Sequence, residues 1–248
     1  MSKPIPKKFK NRQNFYKKSS ARKKVKHKLP RSKDNSYMIC GFDTSMRSIA
    51  GAAIGYDGIL RKKLGPEFVM LRWNKEDHYF DRLLEAAKSF ELVLDLQAAL
   101  SPLIVDNHKV YIAQEEPWPF GMVGKSQSIA LKQQAEISGA FLGSLVRYGY
   151  NNIYQINNTK WRQIVAEDLG ISIHYSKWNV DGKGKWRSKE WSLKNFEVPD
   201  WPDLIETKKE GLIPRPENSK ARAKQPDDRY DALAIMEWMR LELGKSWA

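Results

Sequence analysis

The sequence predicts an α/β domain, and three observations carry the prediction. Apolar runs of strand length follow one another between Tyr37 and Trp73, with turn residues separating them. Strand and helix patterns then alternate up to about residue 170, and the chain closes on a helix with one continuous apolar face. Strands in succession, followed by helices and strands in alternation, mark a layered sheet covered by helices.

The first run is "YMICGF" (37–42). "GAAIGYDGIL" and "EFVMLRW" supply the second and third strands, with turn chemistry at Asp57-Gly58 and at Gly65-Pro66, so an antiparallel meander is expected. In "HYFDRLLEAAKSFELVLDLQAALSPLI" the residues Phe80, Leu83, Leu84, Ala87 and Phe90 recur at helical spacing, which predicts one long amphipathic helix ending before Pro102. "KVYIAQEE" (109–116) reads as a fourth strand. A helix over roughly 126–148, a short strand "NIYQI" and a helix starting near Asn158 or Thr159 follow. Periodicity weakens from about 171 to 226, where Trp178, Trp186, Trp191 and Trp201 are scattered among Lys, Pro and Gly, as in a partly helical insertion with exposed loops. "DDRYDALAIMEWMRLELG" closes the fold as a helix opened by acids, with Ala232, Leu233, Ile235, Met236, Met239 and Leu243 on its apolar face.

Charge is spread unevenly along the chain. Residues 1–36 hold fourteen Lys and Arg against one acid, Asp34, and so contribute +13 of the net +14, whereas 37–248 hold 29 basic and 28 acidic residues. The basic segment has no aliphatic periodicity to offset its ordering entropy. It is expected to be a disordered tail that seeks a polyanion, nucleic acid rather than a membrane, because no amphipathic apolar face accompanies the charge. The remainder, 41% hydrophobic over the whole chain, suffices for one domain, 37–248. No apolar stretch is long enough for a signal peptide or a membrane span, which points to a cytoplasmic protein. Cys40 stands alone among apolar residues, and His27, His78, His108 and His174 lack zinc-site spacing. "GMVGKS" (121–126) has Pro119 where a phosphate-cradling loop needs its first glycine, so no nucleotide cofactor is expected.

The acids have a more specific order. Asp43 ends the first strand, Glu115 and Glu116 end the fourth, and Asp227, Asp228 and Asp231 open the last helix. If the first and fourth strands are parallel neighbours, their ends fall side by side, and a helix packed across the sheet can bring Asp228 and Asp231 over the same edge. Those two are three apart and share a face of the first turn. Singly, each acid has an ordinary structural reading, as a turn or helix cap or a solvated strand end. Four converging carboxylates instead repel one another unless divalent cations intervene, and an all-oxygen set suits Mg²⁺.

On these residues the chain resembles the RuvC-type Holliday junction resolvases, in particular divergent phage and bacterial members. "MICGFDTSMRSIAGAAIG" is similar to the family's opening strand with its acid, "IAQEEPWPFG" to the segment with the second acid, and "DDRYDALAIM" to its Asp-x-x-Asp-Ala-Leu-Ala-Ile helix. The likeness spans roughly 37–243. It implies a ribonuclease-H-like fold, a mixed five-stranded sheet flanked by helices, and a metal-dependent endodeoxyribonuclease. Asp43, Glu115 (with Glu116 in reserve), Asp228 and Asp231 would be catalytic and would hold two Mg²⁺ ions, Mn²⁺ being able to substitute. "GKGKWRSKEW" (182–191) resembles a loop that approaches DNA, which makes Lys183, Lys185 and Lys189 candidate DNA contacts. Trp118 and Phe120, beside the second acid, are candidates for stacking on an unpaired base. Branched DNA as substrate, a homodimer to make two symmetric cuts, and a place with DNA in the cytoplasm of a bacterial or phage-infected cell are further implications. The alternatives are a ribonuclease H or transposase-like nuclease of the same fold, and a non-catalytic nucleic-acid-binding protein.

Overall fold

The computed structural model describes residues 36–74, 77–101, 103, 105–117, 125–171, 187–202, 204–207, 211–214 and 228–244. The basic segment up to residue 35 therefore lies outside the described residues. Seven strands are described: β1 (Tyr37–Thr44), β2 (Ser48–Asp57), β3 (Lys62–Arg72), β4 (Val110–Glu115), β5 (Asn152–Ile156), β6 (Leu204–Thr207) and β7 (Gly211–Pro214). Six α-helices accompany them: α1 (Tyr79–Ala86), α2 (Glu91–Ala99), α3 (Lys125–Tyr148), α4 (Asn158–Leu169), α5 (Ser188–Asn195) and α6 (Asp228–Glu242).

The first five strands form one mixed sheet in the order β3-β2-β1-β4-β5. The meander β1-β2-β3 is antiparallel, while β4 runs parallel to β1 and β5 parallel to β4. This is the ribonuclease-H-like α/β arrangement expected above. A separate antiparallel hairpin, β6-β7, lies within the stretch 171–226.

Two expected boundaries are corrected. The hairpin between β2 and β3 turns at 58–61, and Gly65-Pro66 lies inside β3 instead of forming a turn. β3 is an edge strand, where a proline's missing N–H need not break a ladder, and the register shift between Ala53 and Gly55 absorbs the irregularity opposite it. The single long helix is also two, α1 and α2. Lys88 N and Ser89 N bond to Glu85 O and Ala86 O three residues back, and Ser89 Oγ donates to Glu85 O at 2.7 Å, tightening the turn at 87–90.

Burial on both faces explains why β1 reads as a continuous apolar run: Met38, Ile39, Cys40 and Phe42 are all fully buried. Met38, Cys40 and Phe42 join a core with Val93, Leu96, Ile112, Ile137 and Phe141. Alternation then turns Gly41 and Asp43 toward the opposite face, the one crossed by α6. A Cβ on Gly41 would lie 2.2 Å from Met236 N and 2.3 Å from Ala232 O, so glycine is what lets the helix backbone press onto the strand. Gly41 pairs with Ala52 on β2 and Ala113 on β4, which keeps the floor beneath α6 low. Two residues further along, the same face carries Asp43 on β1 and Glu115 on β4. Among the described residues no helix is long and apolar enough to cross a membrane.

Candidate active site

Parallel pairing aligns Phe42 with Gln114, so the next residues, Asp43 and Glu115, emerge side by side at one sheet edge. Gln114 secures that edge from the other face. Its amide donates to Ser138 O at 3.2 Å, to the Ser138 hydroxyl and to Thr44 Oγ1 at 3.4 Å, and Gln134 Nε2 donates to Thr44 O at 3.0 Å. Because α6 crosses β1 at Gly41 through Ala232 and Met236, its first turn overhangs the edge and delivers Asp228 and Asp231, 7% and 8% exposed.

The four acids feel one another. Burial, followed by the charges of Asp228, Glu115 and Asp231, pushes the Asp43 carboxyl well above its ordinary range, with Arg162 pulling the other way. Asp231 is pushed up to about 7, mainly by burial and further by Asp228 and Glu115. Burial also raises Glu115, while Arg162 and hydrogen bonds from Trp161 and Asn158 hold it down.

Each carboxylate is held differently. The Ser48 hydroxyl donates to Asp228 Oδ2 and is itself fixed in a turn with Ser45 Oγ at 2.8 Å. Trp161 Nε1 donates to Glu115 Oε2 at 3.1 Å. The Ser188 hydroxyl beside Asp231 eases it back toward ionisation, yet among the described residues neither Asp231 Oδ1 nor Ser188 Oγ completes a hydrogen bond. A buried carboxylate oxygen without a donor is costly, and a cation is the partner that would satisfy it. The donor set is all oxygen and net negative, which fits a hard divalent cation such as Mg²⁺. Among the described residues no three acids, histidines or cysteines stand close enough to form a ready cation shell. Ser48 and Trp161 each hold one of the carboxylates by a hydrogen bond.

No protein-family model matches the sequence, and no curated protein is similar to it. Among solved structures the chain is similar to RuvC of T. thermophilus in complex with Holliday junction substrate, at 15% identity and a TM-score of 0.47, covering 84% of this chain and 96% of that one. A ROK hexokinase from Thermus thermophilus is similar at 12% identity and a TM-score of 0.28, covering 52% of this chain and 38% of that one.

Several residues around the acids escaped the reading of the sequence. Asn158, Trp161 and Arg162 sit at i, i+3 and i+4 on the first turns of α4 and so share a face toward Glu115. Their spacing in "NNTKWRQ" was the available signal. Arg162 also lies over the Trp161 ring, 5.0 Å from its centroid. Ser48 had no signal beyond its place at the start of β2.

Of the other expected site residues, Glu116 is exposed and its amide donates to Ile156 O at 2.7 Å. Lys189 follows Ser188 on α5, and its ammonium reaches Asp200 Oδ1 at 2.5 Å and Trp201 O at 3.1 Å, 5.9 Å from the Tyr230 ring centroid. Trp201 in turn donates its amide to Tyr230 Oη at 3.0 Å, tying this segment to the first turn of α6. Lys183, Lys185, Trp118 and Phe120 lie outside the described residues.

Proposed function

We propose that this chain is a divalent-cation-dependent endodeoxyribonuclease that cuts branched DNA, with four-way junctions as its preferred substrate. The observation that supports it is the electrostatic meeting of Asp43, Glu115, Asp228 and Asp231, brought from the ends of two parallel strands and the first turn of the last helix. A structural acid is exposed or, like Glu237 with Arg240, paired with a cation. Acids from three distant parts of the chain that act together on the Asp43 carboxyl, Asp228 and Asp231 buried and Asp43 and Glu115 half-buried, support a site. The likeness of "DDRYDALAIM" to the resolvase helix supports the same reading.

Asp43, Glu115, Asp228 and Asp231 would hold two Mg²⁺ ions, with Mn²⁺ able to substitute. Bound there, such ions lower the pKa of an attacking water and stabilise the leaving oxygen of a phosphodiester. The chain's own contribution is positional. Ser48 orients Asp228, and Trp161 and Asn158 orient Glu115, so two of the four acids keep fixed aims. Arg162 favours the ionised forms of Asp43, Glu115 and Asp231, which are the forms that can ligate. Lys189, Lys183 and Lys185 would contact DNA phosphates, and Trp118 and Phe120 would stack at the branch. Two symmetric cuts call for a homodimer.

The test is cleavage in Mg²⁺ of a mobile four-way junction, a linear duplex of the same sequence and an RNA–DNA hybrid. Paired incisions in the junction with little cutting of the duplex support the proposal. Preferential cutting of the hybrid would move the reading to a ribonuclease, and inactivity on all three would end it.

A further inference from the structure

The end of the sheet away from the acids carries a feature that their chemistry does not use. The turn joining β2 to β3 reads Gly58-Ile59-Leu60-Arg61, and Ile59 and Leu60 are 80% and 61% exposed. Single exposed aliphatic residues are ordinary, but two adjacent ones on a fixed turn are not. Asp57 Oδ1 accepts from Ile59 N at 2.8 Å and Leu60 N at 2.9 Å, and Ser36 Oγ accepts from Gly58 N at 2.9 Å. Arg61 is held at φ 52°, a left-handed conformation that costs a non-glycine residue free energy. The turn is therefore tied into one shape, with its apolar pair pointing to solvent.

Charge says what such a tip would meet. Arg61, Lys62 and Lys63 follow the apolar pair directly, Arg61 and Lys62 exposed. Lysines on an edge strand also discourage strand pairing, but that role accounts for Lys62 and Lys63 and not for Ile59 and Leu60. In the sequence, the +13 segment 1–36 ends at the very serine that pins Gly58. Beside the tip, Tyr37 and Tyr56 stack at 5.5 Å between ring centroids.

Building on the proposed action on DNA, we infer that the β2–β3 tip is a second DNA contact. Arg61, Lys62 and Lys63 lie on backbone phosphates, and Ile59 and Leu60 form an apolar wedge against the bases. Proteins that deform DNA combine basic residues with exposed aliphatic wedges in this way. Pre-ordering of the turn removes an entropic cost that a flexible loop would meet on binding. Six residues of β1 separate Tyr37, level with the tip, from Asp43, about 20 Å at the rise of an extended strand. At the 3.4 Å rise of B-DNA this places the tip about six base pairs along an arm from the acids.

The test uses the full chain and a junction with 20-base-pair arms in EDTA, so that binding is read without cutting. Ile59→Ser/Leu60→Ser should weaken binding about tenfold and leave its salt dependence unchanged, as removal of an apolar contact does. Arg61→Ala/Lys62→Ala/Lys63→Ala should lower the salt slope by about two to three, at about 0.9 per phosphate contact. Parental affinity and slope in both variants would overturn the inference. So would apolar-pair-dependent pelleting with phosphatidylserine vesicles alongside unchanged DNA binding, which would give the tip to a membrane. A chain that binds through the tip but never cuts would sink the nuclease proposal alone. One that cuts normally with both variants binding like the parent would sink only the tip.

Discussion

Helix α6 buries acids at both ends, and the two ends are solved differently. Near its C-terminus Glu237, 7% exposed, is paired with Arg240, 8% exposed, through Nε–Oε2 at 2.6 Å and Nη2–Oε1 at 2.5 Å. At its N-terminus Asp228 and Asp231 are as deeply buried with further carboxylates as neighbours; Asp228 accepts from Ser48, and one oxygen of Asp231 has no donor among the described residues. The same helix, at the same burial, thus pairs one acid with a cation and sets two others beside further carboxylates. Burial alone does not produce the frustrated cluster. What produces it is the choice of partners, a forked guanidinium three residues away in one case and the ends of β1 and β4 in the other.

The contrast breaks most sharply in cleavage. Asp228→Asn and Asp231→Asn should each lower the junction-cutting rate at least about a thousandfold, the scale on which an enzyme loses a principal electrostatic group. The double variant should be little worse than either, since residues acting as one unit are not additive. Single-turnover rates at saturating enzyme would read this. Changing Glu237 to Gln should leave the rate within about twofold, because its charge is already spent on Arg240.

Stability should invert the ranking. Arg240→Ala strands a buried carboxylate and should cost about 3 to 5 kcal/mol in urea unfolding, with Glu237→Gln/Arg240→Ala recovering much of it. Asp231→Asn should do the opposite. Its carboxyl binds a proton more tightly in the folded chain, at about 7, than at its ordinary 3.8, so the folded state holds more protons between those values. Stability without divalent cation therefore falls as pH rises from about 4 to about 7, and its benefit is complete only below the unfolded value. In EDTA at pH 8 Asp231→Asn should be more stable than the parent by about 1 to 3 kcal/mol, and the difference should vanish near pH 4. A parent whose stability is flat across that window would contradict the frustrated cluster.

The smallest effect belongs to Lys189. Its pairing with Asp200 is partly exposed, at 32% on the lysine and 68% on the acid, so Lys189→Ala should change stability by less than about 1 kcal/mol. If its ammonium leaves Asp200 for a phosphate as charge develops, the cutting rate should fall more than the affinity does. Equal small losses in both would keep Lys189 a tie between α5 and the segment at Trp201.

The acids were legible because each sits where a periodic pattern stops, Asp43 and Glu115 after apolar runs and Asp228 with Asp231 ahead of an apolar helical face. The parallel neighbourhood of β1 and β4 entered only as a condition, which the pairing of Met38–Phe42 with Val110–Gln114 meets. Partners that act across the fold were not legible. Ser48 meets Asp228 over a separation of 180 residues, and Trp161 meets Glu115 over 46. Nothing local to Ser48 distinguishes a residue aimed at a carboxylate from one aimed at water, and the spacing of Asn158, Trp161 and Arg162 marks a shared helix face without naming what it meets. The split of α1 from α2 was missed for a different reason. Ala87 and Phe90 preserve the helical spacing of apolar residues through a turn in which the backbone has changed its bonding. Gly65-Pro66 misled because turn chemistry is also tolerated inside an edge strand.

Asp43 is the centre of the candidate site, since the charges of Asp228, Glu115 and Asp231 all act on it. The most direct measurement is junction cleavage in Mg²⁺ by Asp43→Asn against the parent, with binding followed in parallel in Ca²⁺. Asparagine keeps the size of the side chain and most of its ability to cap a turn, and removes only the charge. Cleavage should fall at least about a thousandfold while binding persists or tightens, because repulsion between the carboxylate and the phosphates is relieved. Cutting at near the parental rate would show that Asp43 caps a strand end and that the four acids are not the active site.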